Sequence, residues 1–487
     1  MPSSMGHDSG VGRSADGVPP GHGLMSAREV VGRAVTGAID LARAVRPATR
    51  EGERHYNAGL RFRKRARSWT EAQRLEWTLQ RLREVVRKAA TDSPFYAARF
   101  KAAGFDPAAP FSFDDFARVP LLERADVAEH SARMLSPGVP ASLRRKDGTG
   151  GSSGEPLTYW SGPEERGWRL SGQDDFMRCI GVPRGVSTAF LWGHHIDRSE
   201  RTAWRERARD RLTNRRWFDC FRLSPEVLMG YHEALSRFRP ASIVAYASAL
   251  DALATVLLER GLTANYPVHR IVTGAEKLWP AQRARIERAF PVAVHERYGS
   301  REMGLIAAQF DAATSPSLEV DWGNVLVEPE GDATDSPIIV TKLHADAMPM
   351  IRYRIGDRAR FPAGSAPGHP TWRLEEVLGR QLDGLHHPDG HWIHGVGIPH
   401  LMKDLPVREF QIRQNADYTI DVLLIPHDAY SPAAGEHILK VLGDNLPGLT
   451  MRLQLVDDIP RTGASKWRPV ITHAAARDVP VAARQEN

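Results

Sequence analysis

The chain has 487 residues, 42% of them hydrophobic and 25% charged. That length exceeds what one core organises, so roughly two or three domains are expected, and the balance excludes a wholly disordered chain. Lys plus Arg number 65 against 59 Asp plus Glu, a formal charge of +6. This excess is too small to point to a nucleic-acid partner, although a local positive patch would serve an anionic nucleotide. Cys179 and Cys220 are the only cysteines. They provide neither a disulfide framework nor a four-thiolate metal site, and a reducing cytoplasmic setting is expected.

Residues 1–25 are rich in Gly, Ser and Pro, lack the apolar run of a signal peptide and read as disordered. No stretch approaches the roughly 20 apolar residues of a spanning helix, so no membrane partner is expected. Ala27 to about Val45 reads as an amphipathic helix, with Val31, Val35, Ile39 and Ala42 on the packed side. Residues 1–48 are taken together as an N-terminal extension. Thr70–Lys88 repeats apolar residues at helical spacing through Leu75, Leu79, Leu82 and Val86, and Ser93-Pro94 ends it.

Short apolar runs then alternate with helical patterns. Thr188–Trp192, Ser242–Tyr246, Arg270–Thr273 and Ala293–Glu296 read as strands, and residues 225–238, 247–260 and 280–290 as helices between them. Such alternation predicts an α/β sheet with covering helices. Asn324–Glu328, Pro337–Leu343, Tyr418–Ile425 and Met451–Val456 read as strands of mixed or antiparallel sheets, with a helix over Pro432–Leu446. A boundary near Gly379-Arg380 divides a large domain, 49–380, from a small C-terminal one, 381–487.

Five segments carry chemistry. Thr149-Gly150-Gly151-Ser152-Ser153-Gly154-Glu155-Pro156 follows the basic run Arg144-Arg145-Lys146. Its glycines let backbone N–H groups approach an anion and its hydroxyls add donors, which suits a polyphosphate. Alone it could equally be a solvated linker. Gly274-Ala275-Glu276 follows a strand, where open α/β sheets place ligands, and reads as the floor of a nucleotide pocket or as a plain turn. In Tyr298-Gly299-Ser300-Arg301-Glu302, Tyr298 offers a face for adenine, and Glu302 offers a hard oxygen for Mg²⁺. Tyr353-Arg354-Ile355-Gly356-Asp357 offers a carboxylate to ribose hydroxyls, or a surface ion pair at a turn. Lys466, after Pro460-Arg461-Thr462, could offset charge in a transition state, although an isolated tail Lys is ordinarily just exposed.

Other candidates are weaker. Asp383, His386, His387, Asp389, His391 and His394 match no familiar zinc spacing and read as a solvated loop. His194-His195 follows a strand end and could face a pocket mouth. Neither cysteine has a local partner suited to nucleophilic catalysis.

In order and spacing these motifs resemble the adenylate-forming superfamily of acyl-CoA synthetases, adenylation domains and luciferases. The likeness spans roughly residues 70–472 and is nearest to the phenylacetate–CoA ligase group with its capsule-biosynthesis relatives. Thr70–Lys88 with Ser93-Pro94-Phe95-Tyr96, Tyr246-Ala247-Ser248-Ala249-Leu250 and Ile351-Arg352-Tyr353-Arg354 carry that finer resemblance. It implies a large AMP-binding domain with a small mobile α+β lid. It also implies ATP and Mg²⁺ as cofactors and a small aromatic or acyl carboxylate as substrate. CoA is the implied acceptor, with an amine or a carrier-protein thiol as the alternative. A degenerate nucleotide binder without catalysis and a homodimer both stay open.

On this resemblance, Thr149 to Gly154 would hold the β- and γ-phosphates. Gly274, Ala275, Glu276, Tyr298, Gly299 and Ser300 would surround the nucleotide, and Glu302 would face Mg²⁺. Asp357 and Arg380 would bind ribose, and Lys466 would catalyse adenylation. Leu382 stands where the family carries a charged hinge residue, Ser465 where Gly precedes the lysine, and Arg301 where Ser or Thr precedes the glutamate.

Overall fold

The computed structural model describes residues 27–45, 47–148, 157–192, 208–218, 220, 223, 225–380, 384–386, 388, 392–394, 398, 402, 405–427, 430–446, 448–459 and 470–472. Helix α1 runs over Ala27–Val45, as its pattern predicts, although Val31 of the expected apolar side faces outward. Val31 is 58% exposed, whereas Gly32 and Thr36 are buried. A Cβ at Gly32 would sit 2.0 Å from Asn214 Nδ2, so close approach at a glycine seats this turn of the helix.

A second helix, α2 over Pro47–Ala66, has no counterpart in the sequence reading. Its inward residues Tyr56, Gly59, Phe62, Arg63 and Ala66 are chemically mixed, which hides the period. It lies against the helix Pro163–Cys179 and shares a Trp cluster, Phe62 packing on Trp69, Trp77, Trp168 and Trp322 at 4.5–5.5 Å between ring centroids. Helix α3, Glu71–Asp92, is capped by Thr70, whose side chain accepts from the Gln73 amide. Pro94 both stops it and opens α4, Pro94–Ala102. Phe113–Phe116 (α5), Arg124–Met134 (α6) and Pro163–Cys179 (α7) follow.

Strands β1 (Arg145–Gly148) and β2 (Thr158–Ser161) form an antiparallel pair. An eight-stranded sheet follows from β3 (Thr188–Leu191), β4 (Arg215–Phe218), β5 (Ser242–Tyr246), β6 (Arg270–Gly274), β7 (Val294–Ser300), β8 (Gly304–Ala308), β9 (Leu318–Val320) and β13 (Arg373–Leu374). Its order is β13-β9-β8-β7-β6-β5-β3-β4. The strands β4, β3, β5, β6 and β7 are parallel, and β7 to β13 antiparallel. Helices α8 (Pro225–Phe238), α9 (Ala247–Glu259) and α10 (Pro280–Ala289) supply the predicted crossovers.

Strands β10 (Val325–Pro329), β11 (Asp335–Lys342), β12 (Tyr353–Arg360) and β14 (Glu376–Arg380) make an antiparallel sheet. Beyond it lie a small pair, β15 (Gly384–His386) and β16 (Trp392–His394), and a four-stranded mixed sheet. The latter orders β17 (Val407–Gln414), β18 (Ile420–Pro426), β19 (Met451–Leu455) and β20 (Val470–Thr472) as β19-β18-β17-β20. Helix α11, Pro432–Asn445, packs on it through Ile438 and Leu442 around a separate core. The class is mixed α/β.

Two local expectations need correction. Strand β7 continues through Tyr298, Gly299 and Ser300 instead of ending at Glu296. Asp357 lies inside β12 and not at a turn, because Gly356 takes φ +87° and the ladder to β14 still closes around it.

Candidate active site

The site lies at β7, where the parallel half of the sheet meets the antiparallel half. Tyr298 is half-buried, and its hydroxyl donates to Asp357 Oδ2 at 2.7 Å. Asp357 stands opposite Arg380 in the β12–β14 ladder. Two residues assigned to nucleoside binding, Tyr298 and Asp357, thus meet from two different sheets. The β7–β8 register shifts between Tyr298 and Gly299. A Cβ at Gly299 would lie 2.2 Å from the Gly304 carbonyl oxygen, so only glycine lets the two strands close there. Ser300 accepts from the Met303 amide at 3.1 Å and holds the turn.

This turn is tied to the base of the Gly/Ser/Thr loop. Arg301 Nη1 donates to the Gly148 carbonyl at 3.2 Å, and the Tyr159 hydroxyl donates to the Arg301 carbonyl at 2.5 Å. Gly148 and Thr158, which face each other in the β1–β2 pair, flank the loop. Thr149, Gly150, Gly151, Ser152, Ser153 and Gly154 themselves lie outside the described residues.

Glu302 is 5% exposed, and its carboxylate takes no hydrogen bond or ion pair from the described residues. Behind it runs a buried charge network that the sequence reading missed. Lys342 donates to Glu165 at 2.8 Å, and Arg169 reaches the same oxygen at 3.3 Å. Burial pushes the Lys342 ammonium down from the usual lysine range, while Glu165 and Glu302 oppose that shift. The available signal was a lysine ending the apolar run Pro337–Lys342. Glu302 fits a Mg²⁺ site. That ion keeps several waters and takes one or two carboxylates beside substrate phosphates, so a buried carboxylate without a hydrogen bond among the described residues is a suitable donor.

On the next strand, Gly274 ends β6 and Ala275 takes a left-handed φ of +67°. Glu276 turns away to accept from the Ser248 amide at 2.9 Å, capping the first turn of α9. Its carboxylate therefore has a structural duty, and Gly274 and Ala275 provide the small floor. Lys277 pairs with Glu376 at 2.7 Å and ties this loop to β14, the strand of Arg380.

Lys466 and residues 460–469 lie outside the described residues, as do His194, His195, Leu382, Asp383, His387, Asp389 and His391. Among the described residues no group of three His, Cys, Asp or Glu side chains could hold a metal ion. No described helix is long and apolar enough to cross a membrane.

Residues 385–473 match the family model of the CapK C-terminal domain. Protein CapK of Staphylococcus aureus is 23% identical over 343 residues, covering 67% of this chain and 74% of its own. Among solved structures, the chain is similar to 2-hydroxyisobutyryl-CoA ligase in its postadenylation state, with TM-score 0.58 and 21% identity over 84% of this chain and 91% of that one. The same ligase with 2-HIB-AMP and CoA in the thioesterification state gives TM-score 0.53 and 22% identity over 83% and 91%. The architecture is that of the adenylate-forming ligases, with a large N-terminal domain and a small C-terminal one. Within that class the likeness runs to the CapK relatives, in line with the capsule-biosynthesis resemblance of the sequence.

Proposed function

We propose that the protein is an ATP-dependent ligase that activates a small aromatic or acyl carboxylate as its acyl adenylate. One observation carries this reading. The segment Tyr298–Glu302 is bonded on one side to Asp357 and on the other to Gly148 at the foot of the Gly/Ser/Thr loop. That arrangement suits adenosine against Tyr298 and Asp357, with the polyphosphate running toward Glu302.

In the first step a carboxylate oxygen of the acid attacks the α-phosphorus of ATP. The bond from the α-phosphorus to the β-phosphate oxygen breaks, and pyrophosphate leaves with that electron pair. A bound Mg²⁺ would screen phosphate charge beside Glu302. Lys466 would approach the same atoms from the C-terminal domain. In the second step a nucleophile adds to the acyl carbon and AMP leaves. CoA is the leading acceptor, supported by the CoA complex of 2-hydroxyisobutyryl-CoA ligase. Leu382 and Ser465 depart from the family's pattern and favour keeping an amine or carrier-protein thiol as the second reading.

The test is acid-dependent exchange of pyrophosphate into ATP over a panel of carboxylates, followed by product analysis with and without CoA. Exchange that is lost in Glu302→Gln is expected. ATP binding without exchange for any acid would identify a nucleotide binder instead of a ligase.

A further inference from the structure

Strand β7 presents successive side chains to opposite faces, so Arg297 points away from the Tyr298–Asp357 contact. Its guanidinium lies over the indole of Trp192, 5.1 Å from the ring centroid. Trp192 follows β3 and packs on Tyr246, the last residue of β5, at 4.3 Å between centroids. Gly274, the last residue of β6, makes room for the arginine stem, since a Cβ there would lie 3.0 Å from Arg297 Cγ and 3.1 Å from Nε. These four residues line the carboxyl ends of β3, β5, β6 and β7, neighbours in the sheet, where open α/β sheets receive ligands.

Arg297 differs from the other inward arginines. Arg63 pairs with Asp321, Arg169 with Glu165, Arg283 with Glu296 and Arg352 with Glu328. Arg297 is half-buried, yet among the described residues it donates no hydrogen bond and meets no carboxylate. Burial pushes its pKa down to about 10, which leaves it charged at neutral pH. A desolvated guanidinium with its donors unused destabilises the free protein, and an arriving anion removes that cost.

Resting on the ligase reading above, we propose that Arg297 is a specificity-determining residue that holds a second anionic group of the acid, so that the preferred substrate is a dicarboxylate. One carboxylate enters the Glu302 side for activation. The other forms a paired contact with the guanidinium, and Trp192 and Tyr246 pack the carbon segment between them. The opposite face of β7 is the side of Asp357, which places the nucleoside away from Arg297 and favours the acid over an ATP phosphate as its partner.

The experiment compares wild type with Arg297→Met and Arg297→Lys in the full chain. The probes are malonate, succinate, glutarate and phthalate, each against its monomethyl ester. In the exchange assay, wild type should prefer at least one diacid over its ester by roughly tenfold or more in kcat/KM. Arg297→Met should abolish or reverse that preference, with ATP affinity unchanged. The second readout is thermal melting with ATP present. The same diacid should raise the Tm of wild type and not of Arg297→Met, whose ligand-free Tm should be the higher of the two. Arg297→Lys should retain part of the diacid effect and carries the comparison if the methionine variant does not fold. The proposal is overturned if no diacid supports exchange or shifts the Tm of wild type, or if the ester preference is the same in variant and wild type. It is also overturned if Arg297→Met weakens ATP binding, which would assign the guanidinium to a phosphate. Exchange with monoacids alone sinks this inference and leaves the ligase reading intact. An Arg297-dependent diacid shift without any exchange sinks the ligase reading instead.

Discussion

Asp357 accepts the Tyr298 hydroxyl at 2.7 Å, and this bond orients its carboxylate. Replacing Asp357 by Ala removes both the oriented acceptor and its charge. ATP affinity should fall by roughly 1.5–3 kcal/mol, the scale of hydrogen bonds to a charged group. Tyr298→Phe keeps the ring and removes only the donor, so its loss should be smaller, roughly 0.5–1.5 kcal/mol. Calorimetric titration with ATP separates the two. A folded Asp357→Ala protein that binds ATP as tightly as wild type would remove Asp357 from the nucleoside site.

At the scale of elements, α2 is clamped onto the large domain by one buried ion pair. Arg63 donates through Nε at 3.0 Å and through Nη2 at 2.9 Å to the two oxygens of Asp321, and through Nη1 to Ser171 on α7 at 2.7 Å. The two side chains are only 8% and 10% exposed. Arg63→Ala strands the Asp321 charge and should cost roughly 3–5 kcal/mol, whereas removing both charges with apolar residues of similar volume should cost less. Denaturant unfolding of the single and double variants decides this. Equal losses would mean that packing, not charge, holds α2 in place.

The start of α7 carries a pH signature. Burial would raise the Glu164 carboxyl, but the His344 hydrogen bond at 2.9 Å and the Arg81 guanidinium outweigh it and hold the pKa down to about 2. A folded value below the ordinary 4.5 means that this stabilisation is complete above pH 4.5. It is lost as the pH falls from there toward 2. Glu164→Gln should therefore be less stable than wild type at neutral pH and converge with it in acid. Stability profiles of the two proteins that stay parallel below pH 4.5 would contradict this account.

At the scale of the whole molecule, the residues read as catalytic are divided between the large domain and the C-terminal one. Glu302 follows β7, whereas Lys466 falls between β19 and β20 in the chain. If the nucleotide is held by the large domain alone, Lys466→Ala should leave ATP affinity nearly unchanged and lower adenylation by roughly two to three orders of magnitude, the scale of one lost transition-state charge contact. Binding and pyrophosphate exchange measured on the same variant test both halves. Wild-type exchange would end the assignment of Lys466.

What the sequence determined by itself was whatever local chemistry encodes. The period of Thr70–Lys88 with its Thr70 cap, the strands Ser242–Tyr246 and Arg270–Thr273 and the helix opening at Ala247 could all be read, because side-chain spacing and capping act within a few residues. The mixed α/β class followed from that alternation, and Tyr298, Glu302 and Asp357 stood out because their motifs are local. The inward face of α2 could not be read, since Gly59 and Arg63 face inward only where Ser171 and Asp321 are already in place. Nor could Lys342 be paired with Glu165, 177 residues away, or Arg63 with Asp321, 258 residues away. Burying such charges is favourable only beside their partners, and no local pattern marks which partner that is. The tertiary structure alone decided those pairs, the convergence of Tyr298 with Asp357, and the isolation of Arg297 from any carboxylate of the described residues, because each depends on which strands and helices the sheet brings side by side.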